Sequence, residues 1–481
     1  MSLVNKGDVM KKYSYLLKNI GLLALSSFGT KVLSFLLIPV YTSVLSTSDV
    51  GIYDNYTTTV TLMLSILTIN VSEAVMRFTL DPKQDKCIVF SVGVRRICLA
   101  TCIFGTLVLI NWVFNLIPLF NQYALFLFLY FVGSLLYDFL SQFSRGVDKV
   151  SYVAIAGAMN TIIMLSMNLL LLLYFKLGLV GYFLANCLAL YIPALFLFLI
   201  LRAWRYWKSE KNPDVTHEMN QYSRPLVLNS TAWWINNASD RYIVTWLCGT
   251  AINGIYSVAY KIPSILNIFQ NIFAQAWTLS AVKEYDDKNN DFYTIIYRWY
   301  NCGMVLVCSI LLIGNKLLAY LLFQKEFYQA WQFAPFLMIS VVFGSLSGML
   351  GGVFSASKKS NVLAFSTATG AVVNIILNII LVNSIGALGA AIATLISYVV
   401  VWFYRLIEAK KLIRMNIKIT RDVISYIILL IQALIYLVTD SWLRLYGLQI
   451  ILFVVIIEFY WQDEIEIIKK LSSKVRRKSH V

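Results

Sequence analysis

The sequence predicts an all-α integral membrane protein of about fourteen transmembrane helices: two six-helix lobes related by an internal repeat, plus two C-terminal helices. Three observations predict it. Of 481 residues, 59% are hydrophobic and only 13% charged, and the mean hydropathy is +0.72, the composition of a chain that faces lipid. Apolar runs long enough to span a bilayer recur along the chain. Lys and Arg gather at alternate junctions between those runs, which marks those junctions as cytoplasmic.

Lys6, Lys11, Lys12 and Lys18 precede a first span at 20–45 and place the N-terminus inside. The turn at 46–49 has no Lys or Arg, and a second span over 53–79 carries Glu73 and Arg77 near its inner end. Lys83, Lys86, Arg95 and Arg96 mark the next inner junction, and a third span ends near Asn115. The fourth, 123–143, ends inside at Arg145 and Lys149; spans five and six, 152–175 and 178–201, are joined outside by Lys176 alone. After the longest inner loop, span seven runs over 225–247. Span eight, 254–282, contains Lys261 and Pro263, and span nine covers 292–313. Lys316, Lys325 and Glu326 lie in an outer amphipathic stretch that fits the charge rule least well. Span ten, 331–354, holds Gly344, Gly348, Gly351 and Gly352, and spans eleven and twelve meet at the uncharged 383–387. Arg405, Lys410, Lys411, Arg414, Lys418 and Arg421 form an inner loop before spans at 423–438 and 445–461 and a basic tail. Both termini are therefore expected in the cytoplasm. The expected domains are an N-lobe at 1–203, a cytoplasmic linker at 204–224, a C-lobe at 225–410, and 411–481 for the last two spans and tail.

Composition also narrows function. The net charge of +16 is spread over inner loops and not gathered into one aromatic-interleaved patch, so no nucleic-acid partner is expected. Seven cysteines form no CxxC pair, and the two histidines, His217 and His480, lie outside the spans. No metal site, cofactor or histidine relay is readable. The first apolar run is long enough to be retained as an anchor. No outer loop could house a soluble domain, and no acidic pair faces outside, so an enzyme is not expected.

The repeat shows at outer turns. Leu45-Ser-Thr-Ser-Asp-Val-Gly-Ile-Tyr53 echoes Cys248-Gly-Thr-Ala-Ile-Asn-Gly-Ile-Tyr256, and Gly178-Leu-Val-Gly181 echoes Gly386-Ala-Leu-Gly389. The offsets are nearly equal, which points to duplication. Each half has an even number of spans, so the lobes share one orientation, related by an axis along the membrane normal.

Span seven is the most polar. At ~100° per residue, Asn229, Trp233, Asn236, Asn237 and Asp240 share one face, with Arg241 at its edge. Such a stripe is costly in hydrocarbon and should face a bundle interior or a wet cavity; the plainer alternative is amides gluing neighbouring helices beside a buried Asp–Arg pair. Lys31 lies about eleven residues from the inner end of span one, or ~16 Å at 1.5 Å per residue. That is too deep to snorkel easily.

The run Ser26-Ser-Phe-Gly-Thr-Lys-Val-Leu-Ser-Phe-Leu-Leu-Ile-Pro-Val-Tyr-Thr-Ser-Val-Leu-Ser-Thr-Ser-Asp-Val-Gly-Ile-Tyr53 resembles the opening of Wzx-type polysaccharide transporters. Ser239-Asp-Arg-Tyr-Ile-Val244, Gly254-Ile-Tyr-Ser-Val-Ala-Tyr-Lys-Ile-Pro263 and Ala276-Trp277 carry the same resemblance. It implies the fold of the multidrug/oligosaccharidyl-lipid/polysaccharide exporter superfamily, MATE-like. It also implies a flippase for undecaprenyl-pyrophosphate-linked oligosaccharide in a bacterial plasma membrane, serving capsule or exopolysaccharide synthesis. Such a protein would work by alternating access through a cationic central cavity, with membrane lipid around it. For that substrate, cations in a low-dielectric site would hold the diphosphate: Lys31 first, then Arg241 and Lys261, with Arg77 nearer the inner face. Asn236, Asn237 and Trp233 would meet the sugar, as would Asn160, Asn168, Asn374, Asn378, Trp234 and Trp277. Glu73, Asp138 and Asp240 are the candidates for ion or proton coupling or for gating. Asp240 adjoins Arg241 and Glu73 lies one turn from Arg77, which favours structure or gating over proton carriage. A MATE-like multidrug exporter and a lipid II flippase are the alternatives; a cationic drug calls for an acid in the first span, where Lys31 stands instead.

Overall fold

The structure is a computed structural model that describes residues 35–208, 212–283, 290–357, 359–413, 415, 417–439 and 441–478. Among them there is no strand. The chain forms two compact units, Met1–Trp234 and Ile235–Val481.

In the first unit, α1 (Ile38–Val44) leads into α2 (Thr47–Thr68). Ser46 caps α2: its Oγ accepts from the Asp49 N–H at 3.1 Å, while its own N–H donates to the Asp49 carboxylate at 3.0 Å. The expected second span is not continuous. It breaks by 57° between α2 and α3 (Val71–Thr79). Ile69 and Asn70 at the break adopt φ of +54° and +49°. Asparagine tolerates that conformation, but a β-branched isoleucine is strained in it, by roughly 1–3 kcal/mol. No glycine or proline announces the break in the sequence.

Four long helices complete this unit: α4 (Lys86–Phe114), α5 (Ala124–Gly146), α6 (Val150–Asn168), which widens into a π-helical turn at Leu169–Tyr174, and α7 (Gly178–Ile200). Their core is aromatic. The ring of fully buried Phe183 lies 5.3 Å from those of Tyr53 and Tyr56 and 5.4 Å from that of Phe126. The helix α8 (Pro213–Cys248) runs through Pro225, so residues 213–224 of the expected linker are helical.

In the second unit, α9 (Thr250–Ala259) and α10 (Ser264–Lys283) are separated by a turn ending in Pro263, so span eight is also broken. There follow α11 (Asn290–Ile313), the short α12 (Asn315–Leu322) and a 3₁₀ stretch at Lys325–Gln332. Lys316 sits over the rings of Trp331 and Tyr436, at 4.4 and 5.7 Å, which explains a cation where the charge rule expects none. The remaining helices are α13 (Ala334–Ala356), α14 (Ser360–Ile385), α15 (Ala387–Leu412), α16 (Ile419–Val438) and α17 (Trp442–Lys478).

Ten described helices are long and apolar enough to cross a membrane, or eleven with the bent α2/α3 pair. The other three of the expected fourteen are spans one, seven and eight. Span one lies mostly outside the described residues, α8 carries its polar stripe, and span eight is divided at Pro263.

The two Gly-x-x-Gly turns have one physical reason in both units. Gly178 and Gly386 open α7 and α15 with φ of +56° and +65°, where a side chain would be strained. Gly181 and Gly389 are close-packing positions: a Cβ would stand 3.2 Å from the Leu171 carbonyl oxygen and 2.3 Å from that of Leu381. The repeated motif thus supplies a positive-φ glycine and a close-packing glycine at a helix-to-helix turn in each unit.

Candidate functional site

Each unit carries a polar cluster on membrane-embedded helices. In the first, the α2/α3 break places Glu73 in the first turn of α3, where the helix dipole favours an acid. Gln142 Nε2 donates to Glu73 Oε1 at 3.0 Å, and Arg145 Nη1 donates to Gln142 Oε1 at 3.3 Å. Asp138 faces Ser72 and Arg145 and completes the group. Asp138, Gln142 and Arg145 fall at i, i+4 and i+7 of α5, one helical face. Close approach makes this possible, since a Cβ on Gly146 would stand 2.7 Å from that of Thr79. Asp138 and Arg145 are exposed and Glu73 half-buried, so the cluster presents one cation and two acids at an accessible face. The hydrogen-bond partner of Glu73 is Gln142, while Arg77 is exposed.

The N-terminal half of α8 joins this unit. Asn70 Nδ2 donates to Ser230 Oγ at 3.1 Å, and Trp234 Nε1 donates to the Thr58 carbonyl at 3.0 Å.

In the second unit the hub is Asp240, 1% exposed. The Tyr256 and Tyr260 hydroxyls donate to its Oδ2 at 2.7 and 2.6 Å, and that of Thr394 at 3.4 Å. The hub thereby ties α8 to α9 and α15. Around it, Asn236 Nδ2 donates to the Thr367 carbonyl at 3.2 Å, and the Tyr398 hydroxyl donates to Asn237 Oδ1 at 2.7 Å. Ser239 Oγ donates to Asn374 Oδ1 at 3.2 Å. The Arg241 guanidinium lies 5.0 Å from the centre of the Tyr260 ring.

The predicted stripe on α8 is therefore split. Asn236 and Asp240 are buried, Asn237 is half-buried, and Asn229 and Trp233 are exposed. Lys261 is exposed in the turn after α9. Lys31 lies outside the described residues. Several amides expected to meet sugar are committed within the helices. Asn168 donates to the Met164 carbonyl at 2.7 Å, and Asn378 to that of Asn374 at 2.9 Å. Asn160 donates to the Ala189 carbonyl. Trp277 is buried, donates to the Met349 carbonyl at 2.8 Å and lies parallel to Phe273.

Two cations read from the sequence as loop charges, Arg405 and Arg421, lie on bundle helices. Arg405 is on α15, and its guanidinium donates to Ser366 Oγ, Thr367 Oγ1 and the Ser347 carbonyl, each at 2.9 Å. The signal was available: the apolar periodicity of α15 continues past Arg405 to Leu412. Asp422, 2% exposed, pairs with Arg421 at 2.8 Å and accepts from Tyr460 at 3.2 Å. Among the described residues no group of three acidic, histidine or cysteine side chains could hold a metal.

Comparison with known proteins fits this architecture. The profile of a family described as polysaccharide biosynthesis protein matches residues 16–279, more than half of the chain. A Haloferax volcanii protein described as a probable low-salt glycan biosynthesis flippase, Agl15, is 25% identical over 185 residues, or 37% of this chain. That match spans only 39% of the relative's length. Among solved structures, the inward closed lipid II flippase MurJ is similar with a TM-score of 0.69 and 14% identity, over 92% of this chain and 99% of MurJ. An inward-facing MATE multidrug transporter of the MOP superfamily follows with a TM-score of 0.66 and 13% identity, over 79% of this chain and 95% of that one. At such identities the structures establish the fold, which is that of the MOP transporters. Its helices, its duplicated Gly-x-x-Gly turns and the extent of the profile match together place this chain in the polysaccharide biosynthesis protein family.

Proposed function

We propose that this protein is a flippase that carries an undecaprenyl-pyrophosphate-linked oligosaccharide from the cytoplasmic to the outer leaflet of a bacterial plasma membrane. It would serve capsule or exopolysaccharide synthesis and work by alternating access through a cationic central cavity, with both termini in the cytoplasm. The observation that carries the reading is the family match over residues 16–279, a stretch that includes Lys31, Arg77, Arg241 and Lys261. A diphosphate in a low-dielectric setting needs such cations. Lys31 is the main anchor in this reading, with Arg241 and Lys261 farther out. Trp233, exposed on α8, is the proposed contact for a sugar ring; Asn236 and Asn237 already spend hydrogen bonds inside the unit. Asp240 is assigned to gating or structure, and Glu73 and Asp138 remain the candidates for coupling. We propose the domain division 1–203, 204–224, 225–410 and 411–481 as the functional one.

The second reading is a lipid II flippase, favoured by the similarity to MurJ over nearly both whole chains. A multidrug exporter fits the fold equally but not the cation in the first span.

Transport into proteoliposomes separates these readings. Flipping of a fluorescent undecaprenyl-pyrophosphate oligosaccharide, without flipping of lipid II or efflux of cationic dyes, is the expected result. In the same assay Lys31→Ala should lose most transport and Lys31→Arg keep part of it. Flipping of lipid II alone would assign the second reading. Normal flipping by Lys31→Ala would move the anchor elsewhere, with Arg241 next.

A further inference from the structure

Within the first unit, a pocket of about 180 Å³ opens where the first residues of α3, the N-terminal half of α4 and the opening turns of α8 meet. It is lined by Arg95, Arg96, Thr216 and Asn220, with Val92 and Leu99 among its apolar walls. The neighbouring charges are matched unevenly. Lys208 is paired with Asp85 at 2.7 Å, and Arg95 donates to the Lys208 carbonyl at 3.1 Å and lies 5.7 Å from the Trp207 ring. By contrast, the Nε of Arg96 is buried and has no hydrogen-bond partner among the described residues. Arg224 is close enough to repel Arg96, and no carboxylate lines the pocket. Two guanidinium groups beside a third cation, with a buried donor left over, call for an anion.

The apolar side says what kind of anion. From the pocket, α4 continues into the bilayer-spanning stretch with Leu99, Ile103 and Leu107 exposed at four-residue intervals. On a membrane helix this stripe faces hydrocarbon. A guanidinium fork suits phosphate oxygens, and basic pockets between membrane helices are a recurrent form of lipid headgroup site.

We propose that Arg95, Arg96 and Asn220 bind the phosphate of an anionic lipid whose chain lies along Leu99, Ile103 and Leu107. The site uses none of the residues assigned to the diphosphate anchor and does not depend on which lipid is transported. A phospholipid of the surrounding bilayer and a prenyl diphosphate share this chemistry.

The full-length protein in neutral detergent would be titrated with phosphatidylglycerol, phosphatidylcholine and farnesyl diphosphate, with binding read by native mass spectrometry. Lys83→Gln, in the exposed loop before α4, serves as the charge control. Saturable binding of phosphatidylglycerol, about tenfold weaker in Arg96→Gln and unchanged in Lys83→Gln, is the expected result and assigns a bilayer lipid. Binding of farnesyl diphosphate with the same dependence on Arg96 assigns a prenyl lipid. Should Arg96→Gln fail to fold, Arg96→Lys retains the charge but lacks Nε, and should still bind several-fold more weakly than wild type. The proposal is overturned if neither anionic lipid saturates, if the Arg96 variant that folds binds like wild type, or if Lys83→Gln loses as much.

Discussion

Replacing Asp240 with Asn tests whether the hub of the second unit is a scaffold or a carrier. The carboxylate is buried and accepts from two tyrosine hydroxyls at 2.7 and 2.6 Å, with Thr394 at a weaker 3.4 Å. An asparagine keeps the shape but removes the charge and can offer an N–H where a donor already points. Interhelical hydrogen bonds within membranes are worth about 0.6 kcal/mol on average and up to about 1.7. A carboxylate acceptor belongs at the upper end, so losing two such bonds should cost about 1–3 kcal/mol. Tyr256→Phe removes one donor and should cost about half as much. Because both act through one bond, Asp240→Asn in a Tyr256→Phe background should cost less than in wild type. The assay is thermal unfolding in detergent by size-exclusion fluorescence, alongside transport per folded molecule in proteoliposomes. The expected outcome is a fall of several degrees in the unfolding midpoint, with transport per folded molecule largely retained. A midpoint equal to wild type together with abolished transport would refute the scaffold role and make Asp240 a coupling residue.

Three further outcomes follow from the geometry. Arg405→Lys should destabilise the protein measurably in the same thermal assay, because an ammonium cannot reach Ser366, Thr367 and the Ser347 carbonyl with one planar fork. Gly389→Ala should sharply reduce the folded yield, since its Cβ would stand 2.3 Å from the Leu381 carbonyl oxygen; Gly386→Ala should cost about 1–3 kcal/mol, because φ of +65° with ψ of −152° is a conformation essentially reserved to glycine. Lys208 holds the Asp85 carboxyl below its usual range, so the contribution of this pair is present above that range and lost as pH falls through the lowered value. The pair is over 40% exposed on both sides, so Lys208→Gln should remove less than about 1 kcal/mol and flatten the acid limb of the stability profile only slightly.

The break between α2 and α3 and the network around Asp240 mark where sequence reading stops. Membrane spans were legible because lipid imposes one rule on every segment: about twenty apolar residues, with the backbone satisfied internally. The Gly-x-x-Gly echo was legible as duplication, and its meaning, a left-handed opening and a close contact, is local to each turn. Asp138, Glu73, Asp240 and Arg241 could be singled out because charge in a span is costly wherever it lies. What the sequence by itself determined, then, was the all-helical membrane class, the repeat and the costly residues. Their partners were decided by the tertiary structure alone. Glu73 meets Gln142, 69 positions away, rather than Arg77 one turn along. Asp240 meets tyrosines on α9 and a threonine on α15, and Arg405 belongs to the bundle instead of a loop. Hydrophobicity is a sum over one segment, readable from that segment, whereas a hydrogen bond needs two groups within about 3 Å. Only the packing of the helices brings such groups together.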